Sequence, residues 1–337
     1  MLGARGGLGH DLPMPLALDI VGDVHGQLDA LCALGRSLGY DVDGEWTHPE
    51  GRRLVFLGDL VDRGPSSFET VELVRKLVQA GRALCLMGNH ELNLIEWRYG
   101  RVRPKHSNVP TIRDIEERRR EWDPLLTFME GLPLALELDD LRVTHAGWHR
   151  RCVAALEPSL QTASPVHPIA EPFRDLVRLN GPYENGRLRG GVPTETFENQ
   201  WEKPLDILLK GYEVDAPEPY PDNDGRMREK IRVLWWRDEH DEVPKDRRIV
   251  FGHYWNMPPV EGRHEAFVPP HPSGHPDLRA WFESLRPYVQ PEGRMAVPPE
   301  LKAVCIDFNG MMRVDGPPTV GAYRYPEAEV AWASGGG

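Results

Sequence analysis

One pattern recurs three times in the first hundred residues: an apolar run followed by a loop of glycine with acidic, imidazole or amide side chains. The loops are GDVHGQ at 22–27, GDLVDRGP at 58–65 and GNHE at 88–91. Apolar runs of this length are typical of buried strands, and residues at helical spacing follow the loops. The alternation predicts an α/β fold, a sheet covered by helices, with ligands at the carboxyl ends of the strands.

The first loop places Asp23 and His25 two residues apart. In an extended chain such side chains point to the same side, so a carboxylate and an imidazole could converge on one metal ion. Gly22 and Gly26 would let the backbone turn sharply there. On its own, this pair is equally well explained as a salt bridge within a loop.

Later segments continue the pattern. Residues 134–148, LALELDDLRVTHAGW, predict a hairpin whose second strand leads to His145, and residues 247–255, RRIVFGHYW, predict a strand that leads to His253. AVCIDFNG and AYRYPEAEVAW predict further strands. The charged segment 100–122 is expected to be an excursion from the core.

Composition limits the function classes. The chain has 337 residues, 40% of them hydrophobic, and a formal net charge of −12. This balance argues against binding along an extended nucleic-acid backbone, which needs clustered positive charge. A small phosphorylated ligand remains compatible with it, because bound divalent metals would change the local field.

The four cysteines, Cys32, Cys85, Cys152 and Cys305, are scattered and form no C-x-x-C pair. A disulfide framework is therefore not expected, and a reducing cytoplasm fits best. No apolar run approaches about 18 residues, so no membrane span is expected.

The strand ends collect oxygen and nitrogen donors: Asp23, His25, Asp59, Asn89, His90, His145 and His253. Such a mixture suits two divalent ions of the Mn, Fe or Zn type. One carboxylate can bridge two metals, and a neutral asparagine oxygen limits the negative charge of a site that must receive a phosphate.

GDVHG, GDLVDRG and GNHE together resemble the signature blocks of the calcineurin-like metallophosphoesterases. Within that family they are similar to the branch of the serine/threonine protein phosphatases and symmetrical diadenosine tetraphosphatases. The likeness covers 17–99 well and 141–148 and 248–254 more loosely. It implies an α/β fold with a two-sheet β-sandwich flanked by helices, a four-layer αββα arrangement, with an inserted cap segment.

The resemblance also implies a ligand set for two divalent metals, with Mn first and Fe, Zn, Ni or Co as alternatives. Asp59 would bridge, and the six ligands would be Asp23, His25, Asp59, Asn89, His145 and His253. Two metals can clamp both sides of an in-line displacement at phosphorus.

Catalytic roles carry over from the same motifs. Arg63 would bind the phosphate together with Asn89 and His90, because its fork matches two phosphate oxygens. His90 would protonate the leaving oxygen, and Asp62 would orient it. The branch has a second phosphate-binding arginine, for which Arg237 is the candidate.

These motifs predict the organisation of the chain. A flexible tail at 1–15 precedes the first half of the core at 16–149, a cap is inserted at 150–245, and the second half of the core at 246–337 contains a long loop at 256–298. The expected function is a two-metal phosphomonoesterase of the protein-phosphatase type, acting by direct attack of hydroxide made available by the metals.

Two other functions stay open. The first is a dinucleoside polyphosphate hydrolase, or a nucleotide phosphatase or phosphodiesterase; its support is the set of aromatic residues Trp235, Trp236, Tyr254 and Trp255, which could stack a nucleobase. The second is a non-enzymatic scaffold, which the complete ligand set disfavours. The expected partner is a phosphoprotein, a nucleotide or a small phosphoester, with no membrane.

Overall fold

The computed structural model describes residues 16–161, 177–179, 183–184, 187–188, 204–221, 227–236, 243–259, 280 and 283–336. Their strands are β1 Leu18–Val21, β2 Arg53–Phe56, β3 Ala83–Cys85, β4 Ala135–Glu137, β5 Leu141–Thr144, β6 Val177–Leu179, β7 Tyr183–Glu184, β8 Arg187–Leu188, β9 Glu213–Pro221, β10 Met227–Arg232, β11 Arg248–Phe251, β12 Glu292–Ala296, β13 Ala303–Cys305, β14 Thr319–Tyr325 and β15 Glu329–Ser334. The helices are α1 Leu28–Leu38, α2 Ser67–Gln79, α3 Asn89–Arg98, α4 Val109–Glu117, α5 Arg119–Glu130, α6 Arg150–Gln161 and α7 Pro204–Lys210.

The first sheet has the strand order β12-β15-β14-β1-β2-β3. Its strands β1, β2 and β3 are parallel, with Leu18 opposite Arg53 and Leu54 opposite Ala83. They are the three apolar runs of the repeated pattern. Helix α1 packs on β14 and β15, and α2 packs on β3, so the predicted alternation of strand, loop and helix is confirmed.

The second sheet has the order β13-β11-β5-β4-β6. Strands β4 and β5 form the predicted hairpin, and β5, β11 and β13 run parallel to one another. Apolar side chains of both sheets, such as Ile20 and Val55 from the first and Val143 and Val250 from the second, form one buried cluster. The two sheets therefore pack face to face, and the fold class implied by the resemblance is confirmed.

Three segments differ from expectation. Strand β6 lies within the expected cap but pairs with β4 of the core sheet. Strand β12 lies within the expected loop and forms an edge of the first sheet. Residues 100–122 include α4, whose Ile112 and Ile115 are buried, so this charged segment belongs to the packed structure. Its charges occupy the outer face and mask the apolar spacing.

Outside the described ranges lie the tail at 1–15, parts of the expected cap between 162 and 242, and residues 260–279 of the expected loop. Among the described helices, none has both the length and the apolar character that crossing a membrane requires.

Candidate active site

The site lies where the carboxyl ends of β1, β2, β3, β5 and β11 meet. A hydrogen bond joins the two sheets there: His145 Nδ1 contacts the Leu57 carbonyl oxygen at 2.9 Å. Within the second sheet, the Gly252 amide donates to the His145 carbonyl oxygen at 2.8 Å. The His253 amide lies 3.2 Å from each carboxylate oxygen of Asp23. Residues far apart in sequence are thus held at one edge of the sandwich.

Two groups of potential metal donors share one carboxylate. His25, Asp59 and His90 form the first group, and Asp59, His145 and His253 form the second; within each, the donor atoms lie within 4.8 Å of one another. Asp59 Oδ2 is 3.5 Å from His25 Nε2, and Asp59 Oδ1 is 3.5 Å from His145 Nε2. The two oxygens of Asp59 therefore face two different sets of potential metal donors.

The other expected ligands lie beside these groups. Asn89 Oδ1 is 3.2 Å from Nε2 of His145, within the second group. Asp23 is only 2% exposed and turns its carboxylate to the His253 amide, so it belongs to neither group of donors. In the first group the third donor is His90.

Main-chain carbonyls orient two of the histidine rings, those of His25 and His145. His25 Nδ1 lies 2.9 Å from the Val61 carbonyl oxygen, which can only accept, so Nδ1 carries the proton and Nε2 keeps its lone pair. Burial lowers the pKa of His25, of His145 and of His253. Neutral, oriented imidazoles are the form that binds metal ions.

Asp59 is 2% exposed. Burial acts to raise its pKa, but the neighbouring His145, His90 and His25 outweigh it and the pKa is lowered. The His90 amide also donates to Asp59 Oδ1 at 2.9 Å.

Glu91 holds the loop that contains Asp59 through hydrogen bonds to its main chain. Sequence reasoning missed this role. Its carboxylate accepts the amides of Asp59 at 2.7 Å, Leu60 at 2.8 Å and Gly88 at 3.0 Å. Burial, followed by the charge of Asp59, raises its pKa to about 7. Its place in GNHE, next to two expected site residues, was the available signal.

His90 is held by a carboxylate, as the resemblance implied. His90 Nδ1 lies 2.5 Å from Asp62 Oδ2, and the same oxygen accepts the side-chain amide of Asn108. The Asp62 amide donates to Ser67 Oγ at 2.9 Å. Asn108, from the charged segment, carries no motif that sequence reasoning could have used.

Two described arginines, Arg63 and Arg232, lie near the site. Arg63 is exposed, and its guanidinium lies 4.8 Å from the centre of the Trp255 ring. Arg237 lies outside the described residues. Arg232 on β10 lies over the ring of Tyr254 at 5.7 Å; burial first and then the charge of Arg232 lower the pKa of His253.

The aromatic candidates separate into two environments. Trp235 and Tyr254 are buried, and both contact the ring of Phe251 in the core, as does Trp236. They are packing residues. Trp255 is partly buried, packs on a small apolar cluster and is the one beside Arg63.

Backbone strain is concentrated at the site. Eight non-glycine residues of the described chain have positive φ, and five of them are His25, Asp59, Asp62, Arg63 and His253. Such conformations cost about 1–3 kcal/mol each and persist where the surrounding structure enforces them.

A further buried acid, Asp307, lies two residues after β13. Burial raises its pKa to about 6, and Asp307 is the first charged neighbour that raises the pKa of Asp23. Sequence reasoning missed it, although AVCIDFNG repeats the pattern of an apolar run followed by an acid and a glycine.

The donor set fits divalent metals. Nε2 of His253 and one oxygen of Asp307 are buried without a hydrogen-bond partner among the described residues. A buried polar atom of this kind is costly unless a partner or a cation satisfies it. Imidazole nitrogens with carboxylate and amide oxygens are ligands of Mn, Fe and Zn.

A sequence model of the calcineurin-like phosphoesterase family matches residues 16–271, more than half of the chain. The protein therefore belongs to the calcineurin-like phosphoesterases, as the resemblance indicated.

Named relatives share less than half of the chain. It is 35% identical over 156 residues to the asymmetrical bis(5'-nucleosyl)-tetraphosphatase PrpE of Geobacillus sp. (strain WCH70), covering 44% of this chain and 64% of the relative. It is 39% identical over 141 residues to PrpE of Halalkalibacterium halodurans, covering 39% of this chain and 57% of the relative. The matches thus span less than two thirds of either relative.

Among solved structures, a metallophosphoesterase from Sphaerobacter thermophilus aligns over 95% of this chain and 87% of its own length. The identity is 16% and the TM-score is 0.40.

Proposed function

We propose that this protein hydrolyses dinucleoside polyphosphates with two divalent metals. The observation that carries the phosphoryl-transfer chemistry is the pair of donor groups that share Asp59. The name of the PrpE relatives supports the nucleotide substrate over the phosphomonoester expected from sequence. That name specifies asymmetrical cleavage, whereas the motifs suggested the symmetrical branch.

The proposed ligands are the six residues named from the motifs, with Asp59 between the metals: Asp23, His25, Asp59, Asn89, His145 and His253. When bound, the metals would neutralise phosphate charge and make hydroxide available near pH 7. Manganese is the first candidate because the donors are nitrogen and oxygen, without thiolate. Three buried free cysteines support a reducing compartment such as the cytoplasm.

Two arginines would bind the phosphate. Arg63 is exposed, and Trp255 lies against its guanidinium, which limits the positions that the guanidinium can take. Arg232 is a candidate for the second arginine beside the expected Arg237, because its guanidinium lies near His253 and its Nε has no hydrogen-bond partner among the described residues. A planar guanidinium can bind two phosphate oxygens at once.

His90 would donate a proton from Nε2 to the leaving oxygen, while Nδ1 stays hydrogen-bonded to Asp62. Asn108 and the Ser67 hydroxyl keep Asp62 in place. How much this proton matters depends on the leaving group. An alkoxide needs it, whereas a phosphate oxygen released from an anhydride is a stable anion without it.

A second function, phosphomonoester hydrolysis, is favoured by this same arrangement. A histidine held 2.5 Å from a carboxylate oxygen is the kind of acid that alkyl phosphates such as phosphoserine require.

One substrate panel with Mn²⁺ tests the proposal. It contains diadenosine tetraphosphate, a nucleotide, a phosphoserine peptide, a phosphodiester and an aryl phosphate, with Asp59→Asn as the inactive control. We expect diadenosine tetraphosphate to have the highest kcat/KM and to yield AMP and ATP. Two molecules of ADP would indicate symmetrical cleavage. Preference for the phosphoserine peptide would reject the nucleotide proposal in favour of the monoesterase.

A further inference from the structure

Asp307 occupies a position equivalent to the recognised site residues, although no motif includes it. It follows β13, which runs parallel to β11, the strand that leads to His253. The chain passes close to the first loop here: a Cβ atom on Gly22 would lie 2.2 Å from the Ile306 carbonyl oxygen. Asp307 thus lies at the same edge of the sandwich as Asp23.

The two oxygens of Asp307 have different surroundings. Oδ1 accepts the side-chain amide of Asn309 at 2.6 Å and its main-chain amide at 3.1 Å. Oδ2 has no hydrogen-bond partner among the described residues, and the residue is 0% exposed. The Asn309 side-chain amide also lies 3.4 Å from the Asp23 carbonyl oxygen, so it connects the two acids. Asn309 therefore fixes a carboxylate whose second oxygen is left for another group.

Charge balance indicates what that group is. Asp23, Asp59 and Asp307 are each at most 2% exposed. Asp59 lies beside histidines, and the Asp23 carboxylate accepts a main-chain amide. Oδ2 of Asp307 has no hydrogen-bond donor of either kind among the described residues. A buried carboxylate is stable when it is paired or when it contacts a metal ion.

We propose that Asp307 is a positioning acid of the metal centre, whose free oxygen adds negative charge beside Asp23 and strengthens divalent-cation binding there. The inference rests on the proposed two-metal function and deepens it. Asp307 acts through Asp23 and the cation, not on the phosphoester itself.

The test measures Mn²⁺ binding alone, without substrate, on the full metal-free chain by competition with a fluorescent chelator. Asp307→Asn keeps the shape and the bonds to Asn309 and removes the charge. We expect it to weaken Mn²⁺ binding by about 10- to 100-fold, as is typical for groups that orient metal ligands. The metal-free variant should melt at the same temperature as wild type or higher, because the unpartnered buried charge is gone. Asp307→Glu should bind Mn²⁺ more tightly than Asp307→Asn.

Asp19→Asn is the matched control, since Asp19 is also buried but is paired with arginines; it should lower the melting temperature and leave Mn²⁺ affinity unchanged. Unchanged affinity in Asp307→Asn, equal losses in the Asn and Glu variants, or a metal-free Asn variant that melts below wild type would each overturn the inference. A wild type that binds Mn²⁺ but hydrolyses no phosphoester would reject the proposed function and leave the role of Asp307 standing.

Discussion

The two ends of β1 differ in the hydrogen-bond partners that they give to a buried aspartate. Asp19, within β1, is 0% exposed and accepts Arg52 Nε and Nη2 at 2.9 Å, the Tyr40 hydroxyl at 2.9 Å and Arg324 Nε at 3.0 Å. Asp23, four residues later, is 2% exposed, and its carboxylate accepts only the main-chain amide of His253 among the described residues. One acid is fully paired by side chains, and the other is not.

The difference separates a structural charge from a functional one. Buried carboxylates are tolerated when cations and donors satisfy them. At the Asp19 end, arginines supply this, and Glu327 on the far side of Arg52 extends the network. At the Asp23 end, strained backbone and further acids converge, and within the described part of the chain no arginine or lysine hydrogen-bonds to the Asp23 carboxylate. That end is built to receive divalent cations.

The largest effect is expected at Asp59. Asp59→Asn should lower turnover by about 1,000-fold or more, because charge stabilisation by two metals is worth several kcal/mol. Metal content, measured by plasma mass spectrometry, should fall below two per chain. Normal turnover with two bound metals would show that Asp59 does not bridge.

His90 should separate metal binding from proton transfer. His90→Asn should lose about 100- to 10,000-fold on an alkyl phosphate and much less on an aryl phosphate or diadenosine tetraphosphate, provided the chemical step limits each rate. His90 also lies among the donors of the first group, with Nε2 3.9 Å from Asp59 Oδ2. If the His90→Asn variant kept its metals and lost activity equally on all substrates, His90 would not be the general acid. If the variant lost metal, His90 would be a metal ligand.

The Asp19 network should affect stability alone. Asp19→Asn should lower the free energy of unfolding by about 3–5 kcal/mol, because it leaves buried arginine charge without its partner. Urea denaturation measures this. The comparison between the two ends would fail if the variant were as stable as wild type or lost its metal.

A smaller effect is expected from pH. The pKa of His253 is lowered below 6.5 in the folded protein, so its neutral form stabilises the fold above pH 6.5, and this stabilisation is lost as pH falls below that value. The loss for one such group is at most about 1.4 kcal/mol per pH unit. In metal-free protein, His253→Asn should therefore show a smaller drop in unfolding free energy between pH 6.5 and 5.5 than wild type does. An equal or larger drop would mean that this histidine titrates normally.

Local pattern in the sequence was enough for the elements that carry the site. The apolar runs before Asp23, Asp59 and Asn89 form parallel strands, and the glycine-rich loops bring their donors together. The two-sheet arrangement came from the family resemblance, because the pairing between distant strands such as β5 and β11 leaves no local signature.

The residues that support the site were harder to predict. Glu91, Asn108 and Asp307 act through tertiary contacts, to main-chain amides 31 to 32 residues away for Glu91 and to Asp62 across 46 residues for Asn108. Arg232 carries no motif that sequence reasoning could have used, because its place beside Tyr254 and near His253 depends on the packing of β10.

Metal-induced stabilisation of the wild-type protein tests the central claim most directly. Metal-free protein is melted with and without Mn²⁺, with Mg²⁺ at the same ionic strength as a control for screening. If the acids and histidines at the carboxyl ends of the strands are held for cations, saturating Mn²⁺ should raise the melting temperature by several degrees, since each site at 100 times its Kd adds about 2.7 kcal/mol. The Asp59→Asn variant should show a much smaller rise. Equal melting temperatures with and without Mn²⁺ would contradict the account.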